Sequence, residues 1–97
     1  MPTDLHFICK NGDCWRKLGA EEFETGDWYV SDDKAQEAVG GRIYLHEDQN
    51  SLAWHGGTIT FRHYGHDDRK VFRYTVDGNF RVPCLGNWAQ EKAIVHR

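Results

Sequence analysis

From Arg42 onward the chain repeats one pattern: short runs of alternating apolar and polar side chains, each cut off by glycine, asparagine, aspartate or proline. A period of two suits a strand with one buried face, because successive side chains point to opposite sides. Arg42 to His46 places Ile43 and Leu45 on one side and Arg42, Tyr44 and His46 on the other. Thr58 to Tyr64 sets Ile59, Phe61 and His63 against Thr58, Thr60, Arg62 and Tyr64. Arg69 to Val76 sets Phe72, Tyr74 and Val76 against Val71, Arg73 and Thr75. Asp77-Gly78 predicts a hairpin turn into Phe80 to Val82, and Pro83 suits a strand end. The tail is divided, since Ala89 to Ala93 favours helix and Ala93 to His96 a closing strand; the reading taken is a turn followed by a strand.

The N-terminal part begins with a predicted hairpin over 6–17, whose turn is Asn11-Gly12 because both residues tolerate positive φ. That register sets Cys9 opposite Cys14. Asp27 to Val30 predicts a short strand. Ser31 then resembles an N-cap, Asp32 and Asp33 suit the positive end of a helix dipole, and Lys34 to Val39 forms about two helical turns before Gly40-Gly41 stops them. The expected fold class is mainly β (α+β), a small, partly closed antiparallel β-barrel or strongly bent sheet with one short helix. All 97 residues form one domain, with the hairpin followed by a core over about 26–97.

With 39% hydrophobic and 28% charged residues, including four tryptophans, the chain is too apolar and aromatic to stay disordered. No apolar run is long enough to span a bilayer, and the first residues lack the basic and apolar regions of a signal peptide. A cytoplasmic location with no membrane partner is expected. The net charge of −3 is uneven: residues 1–57 carry −6 and residues 58–97 carry +3. Either one face is locally basic, or the halves interleave and cancel.

Catalytic and metal-binding patterns are sparse. Cys9 and Cys14 read as a cross-strand disulfide, as half of a zinc site with Cys84 and a histidine, or as free thiols; the reading taken is reduced and metal-free. The six histidines form no HExxH pair, and no nucleophile elbow or phosphate loop occurs. The expectation is a protein that is not an enzyme and carries no cofactor, with a small hydrolase or nuclease as a remaining alternative. The aromatic set is more informative. Trp28, Tyr29, Tyr44, Trp54, Tyr64, Tyr74 and Trp88 carry polar handles that need partners, which places some of them at a cleft. Beside Arg62, Arg73, His46 and His55 they supply the stacking and hydrogen-bonding groups that hold an extruded base.

The run Asp27-Trp28-Tyr29-Val30-Ser31, the short helix, Gly40-Gly41-Arg42-Ile43-Tyr44-Leu45-His46, Gly56-Gly57-Thr58-Ile59, and then Val76-Asp77 and Pro83 resemble the PUA-like superfamily, in particular its EVE and ASCH domains. The resemblance covers roughly residues 26–83. It implies a cleft beside glycine-led strands that receives a nucleobase, in some members a modified one. The resulting expectation is a non-enzymatic module binding a nucleobase or nucleotide of DNA or RNA. Trp28 and Trp54 would stack, Ser31, His46 and His55 would bond base edges, and Arg62 and Arg73 would meet phosphate. The alternative is a protein-interaction or accessory domain with an exposed aromatic patch, with zinc at Cys9 and Cys14 as a variant of it.

Overall fold

The computed structural model describes residues 3–9, 15–65, 69–76, 81–84, 88 and 92–96. Its elements are β1 (Thr3–Ile8), β2 (Trp15–Lys17), β3 (Glu22–Trp28), α1 (Asp32–Ala38), β4 (Arg42–His46), β5 (Ala53–Tyr64), β6 (Lys70–Thr75) and β7 (Lys92–His96). The strands form a seven-stranded sheet in the order β2-β3-β6-β5-β4-β1-β7. Every pairing is antiparallel except β1 with β4. The mainly β fold with one short helix agrees with the expectation from the alternating pattern, while the sheet is mixed and open rather than antiparallel and partly closed.

The hairpin expected over 6–17 is not the pairing observed. Phe7 lies opposite Leu45 on one side and Lys92 on the other, so both edges of β1 are occupied, and β2 pairs instead with β3. The reason is burial: Thr3, Asp4, Leu5, His6 and Phe7 are all buried, and a strand covered on both faces belongs inside a sheet. The Asn11-Gly12 turn and the turn at Asp77-Gly78 lie outside the described residues. Arg81 and Val82 are not in a strand.

Curvature replaces hydrogen-bonded closure. Phe7 on β1 stacks against Trp28 of β3 at 4.2 Å, and against Phe72 of β6 at 6.0 Å. Strands sit about 4.8 Å apart, so partners four positions along a flat sheet would be about 19 Å from one another. The sheet therefore curls until its distant strands share one interior, filled by Leu5, Phe7, Phe23, Trp28, Ile43, Leu45, Ile59, Phe72 and Tyr74. Ala35 and Ala38 of α1 face this core. The helix starts as its sequence predicts: Ser31 Oγ accepts from the Lys34 amide at 3.3 Å, and Gly40 takes a φ of 93° just past the end.

Irregularities set the bend. The registers of β4 with β5 and of β5 with β6 each shift by a bulge, at Leu45/His46 and at Ile59/Phe61. At Gly57 a Cβ would lie 2.0 Å from the Thr75 carbonyl oxygen, so only glycine allows β5 and the end of β6 to approach this closely. Cys9 is disulfide-bonded and buried, which corrects the expectation of a reduced thiol there. Cys84 is not in a disulfide, and Cys14 lies outside the described residues.

Two outcomes follow from this packing. Gly57→Ala, whose methyl meets backbone rather than a movable side chain, should cost about 2 kcal/mol or more in a urea titration; a loss within a few tenths would contradict the close approach. Thiol titration of the unfolded, unreduced protein should find one free thiol per chain, and three would show that Cys9 is not bonded.

Candidate nucleic-acid interface

Two groups of histidines fill polar niches inside the fold. His6 on β1 and His46 on β4 lie on the face opposite the main core, His6 stacked on Tyr44 at 4.8 Å and both edged by Trp88. His46 Nδ1 lies 2.9 Å from the Ser51 carbonyl oxygen, which only accepts, so Nδ1 carries the proton. Neutral His46 then presents a lone pair at Nε2, and His6 Nδ1, 2.8 Å away, donates to it. Burial first, and the neighbouring His46 second, push His6 down to about 4; burial also lowers His46, against the opposing pull of the Ser51 carbonyl and the Asp48 charge. A buried imidazole with so low a pKa is a weak general base at neutral pH, so the relay orients and cross-braces β1 and β4. His55 is half-buried among Trp15, Phe23 and Trp54, and its Nδ1 shares a 2.7 Å hydrogen bond with the Tyr74 hydroxyl. Burial lowers the His55 pKa and raises that of the Tyr74 phenol.

A different surface carries exposed rings. Tyr64, at the end of β5, is 55% exposed, and Tyr29 and Phe61 are 60% and 52% exposed. Each ring has a cation against it. Lys70 Nζ lies 4.8 Å and the Arg62 guanidinium 5.8 Å from the Tyr64 ring, Arg69 sits 4.2 Å over Tyr29, and Arg73 lies 5.9 Å from Phe61. The bulge at Thr60 makes this possible. Ile59 pairs with buried Tyr74, but one residue is then skipped, so Phe61 comes opposite Arg73 and leaves the core side, while Arg62 comes opposite Phe72. That corrects the strict alternation expected for Thr58 to Tyr64. Arg62 reaches across to Gln36 of α1 at 3.2 Å.

Tyr64 borders two hollows. One, of about 520 Å³, is lined also by Gln36, Val39, Phe61, Arg62 and His63; the other, of about 540 Å³, by Val30, Ser31, Asp32 and Lys70. Lys70 is tied to Asp32 at 3.0 Å, and this hydrogen bond holds the Asp32 carboxyl below its ordinary range. Glu24 is approached by Arg16 and, at 3.5 Å, by His63. Acidic residues of the first half thus meet basic residues of the second, so the two halves do interleave in places; Arg62 bonds Gln36, and its charge also acts on Asp32.

The seven residues expected to form one site are spread over the fold. Ser31, Arg62 and Arg73 gather around Tyr64 and Phe61. Trp28 does not stand at a rim: it is 8% exposed, stacked on Phe7, with its indole N–H donated to Thr25 Oγ1, and the core needs its large apolar area. His46 faces the other side of the sheet, bonded within its pair. Trp54 and His55 sit together in the Trp15 cluster, where Trp54 Nε1 donates to the Cys9 carbonyl at 2.9 Å. Tyr29, Phe61, Tyr64, Arg69 and Lys70 were not among the seven, although the alternation of ring and cation in Phe61-Arg62-His63-Tyr64 and Arg69-Lys70 is visible in the positively charged part of the chain.

Among the described residues no three His, Cys, Asp or Glu side chains are grouped to hold a metal ion, and no helix is long and apolar enough to cross a membrane. No known family model, curated protein or solved structure matches the chain.

The histidine pair has a measurable consequence. His6 has a folded pKa of about 4, below its ordinary 6.5, so the unfolded chain takes up the proton first. Its contribution of about 3 kcal/mol is complete above roughly pH 6.5 and is lost as the pH falls toward 4. His46 and His55 shift in the same direction. Urea midpoints measured between pH 7 and 4 should fall steadily, and His6→Asn, whose amide can still donate to His46, should flatten the slope; an equal slope in that variant would remove His6 as its source.

Proposed function

We propose that this protein is a non-enzymatic module that binds a nucleobase or nucleotide of DNA or RNA on the surface centred on Tyr64. The observation that carries the reading is the set of exposed rings each set against an arginine or lysine, with Tyr64 between two hollows. Aromatic faces stack on any base and adjacent cations meet the backbone phosphates, which is the combination used for unpaired strands. Tyr64, Tyr29 and Phe61 take the stacking part first given to Trp28 and Trp54, and Arg62 and Arg73 keep the phosphate part. A modified base as ligand, and a relationship to PUA-like domains, belong to the same proposal and rest on the order of glycine-led strands and short helix. The cytoplasmic location expected from the sequence sits against the disulfide-bonded Cys9, since disulfides persist mainly in oxidising compartments.

Titration of short single- and double-stranded oligonucleotides, with and without modified bases, at two salt concentrations tests the reading. Arg62→Ala and Arg73→Ala should each lower the slope of log affinity against log salt by about one unit, the mark of one lost phosphate contact. If the folded wild-type protein binds none of these strands at about 10 to 100 μM, the weak end of non-specific affinity, the interaction-domain reading takes its place.

A further inference from the structure

The chain holds three cysteines; Cys9 is disulfide-bonded and Cys84 is not in a disulfide, so by count the partner of Cys9 is Cys14. The bond therefore joins the residue after β1 to the residue before β2. On the Cys9 side the anchor is firm: Cys9 is buried, its amide donates to the His46 carbonyl at 2.8 Å, and its own carbonyl accepts from Trp54 Nε1 at 2.9 Å. β2 has much less to hold it. It is three residues long, lies at the outer end of the sheet with β3 as its neighbour, and packs one ring, Trp15, against the core while Arg16 and Lys17 are exposed. Trp15 stacks on Phe23 at 5.0 Å and meets Trp54 and His55 edge-on at 5.7 and 5.2 Å. We propose that the Cys9–Cys14 disulfide is a redox latch, which fastens β2 and Trp15 over the cluster of Phe23, Trp54 and His55 and releases them when a dithiol reductant opens it.

The chemistry is thiol–disulfide exchange. A thiolate of the dithiol attacks the S–S bond, forming a mixed disulfide and releasing one cysteine as a thiolate; the second thiol of the reductant then displaces the other cysteine. Two electrons and two protons pass to Cys9 and Cys14, and the reductant leaves as a disulfide. Once the link is open, β2 is held by its three-residue ladder, the contact of the exposed Arg16 with Glu24, and the packing of one ring. Exposed ion pairs hold weakly, and a short edge segment with so few contacts belongs to the low end of local stability. The rest of the sheet does not depend on β2: β3 keeps its ladder to β6, and Cys9 keeps its two backbone bonds. Opening is thus confined to β2 and the outer edge of β3. Disulfides persist in oxidising compartments and are reduced where thiol reductants are active, so the covered form belongs to the first setting and the opened form to the second.

The test follows amide hydrogen exchange residue by residue in the full chain, before and after addition of a dithiol, with peptide mapping of the unreduced protein to locate the bond. Mapping should return Cys9 joined to Cys14. Reduction should lower the protection of the amides that join β2 to β3 by about 30-fold or more, the low end of what losing a native disulfide costs. The amides that join β4 to β5 should keep theirs. Cys14→Ser without reductant should reproduce the reduced pattern, and Cys84→Ser should match the wild type. A bond mapped to another cysteine, β2 protection that survives reduction, or a native bond that resists the dithiol overturns the latch. So does loss of protection by every strand together, which would make the bond a staple of the whole fold.

Discussion

The contact between Phe7 and Trp28 holds this fold together as one body. Their strands are separated in the sheet by β4, β5 and β6, and among the described residues no hydrogen-bond ladder joins the outer strands β2 and β7 to each other. Stacking at 4.2 Å across the interior stands in for that missing ladder. Such a sheet is stabilised by the area it hides, because buried apolar surface contributes about 25 cal/mol per Å² without regard to direction. The curl that hides Phe7, Phe72 and Trp28 also turns the far end of β5 outward, where Phe61 and Tyr64 lose their cover.

That division explains which aromatics stay exposed. A tryptophan offers the most apolar area, and in a chain this short three of the four are drawn inward: Trp28 into the core, Trp15 and Trp54 against its edge around His55. Trp88 edges the histidine pair. Among the described residues the rings left in solvent are two tyrosines and one phenylalanine. The interior histidines serve the architecture, each imidazole spending both its burial and its hydrogen bonds on neighbours in the fold.

Local features were readable from the sequence and long-range ones were not. Ser31, the acidic first turn and Gly40-Gly41 act within a few residues, so the helix is found where they place it. Arg42–His46 follows from its own alternation, and the closing strand of the tail from its β-branched residues. The pairing of β1 with β2 expected across Asn11-Gly12 gives way to pairings with β4 and β7, because β1 is buried on both faces, which is invisible in residues 3–8 alone. The bulge at Thr60 is likewise a mismatch between two strands, and it moved Phe61 from the expected core side to the surface. For the proposed site, Arg62 and Arg73 were legible as residue types, but that Tyr64 rather than Trp28 is the exposed ring depends on which aromatic the core consumes.

The position of β1 governs how such a chain can reach its folded form. β4, β5 and β6 join neighbours through short connections and can assemble early, whereas Phe7 must find Leu45 on one edge and Lys92 on the other. The second of these closes a loop spanning most of the chain, and the entropy of that closure is lost before the contact returns anything. The β1–β7 pairing is thus among the last to form. Until it forms, the outer edge of β1 stands open to any strand that fits, including β7 of another molecule, and exchange at that edge is the characteristic hazard of this topology.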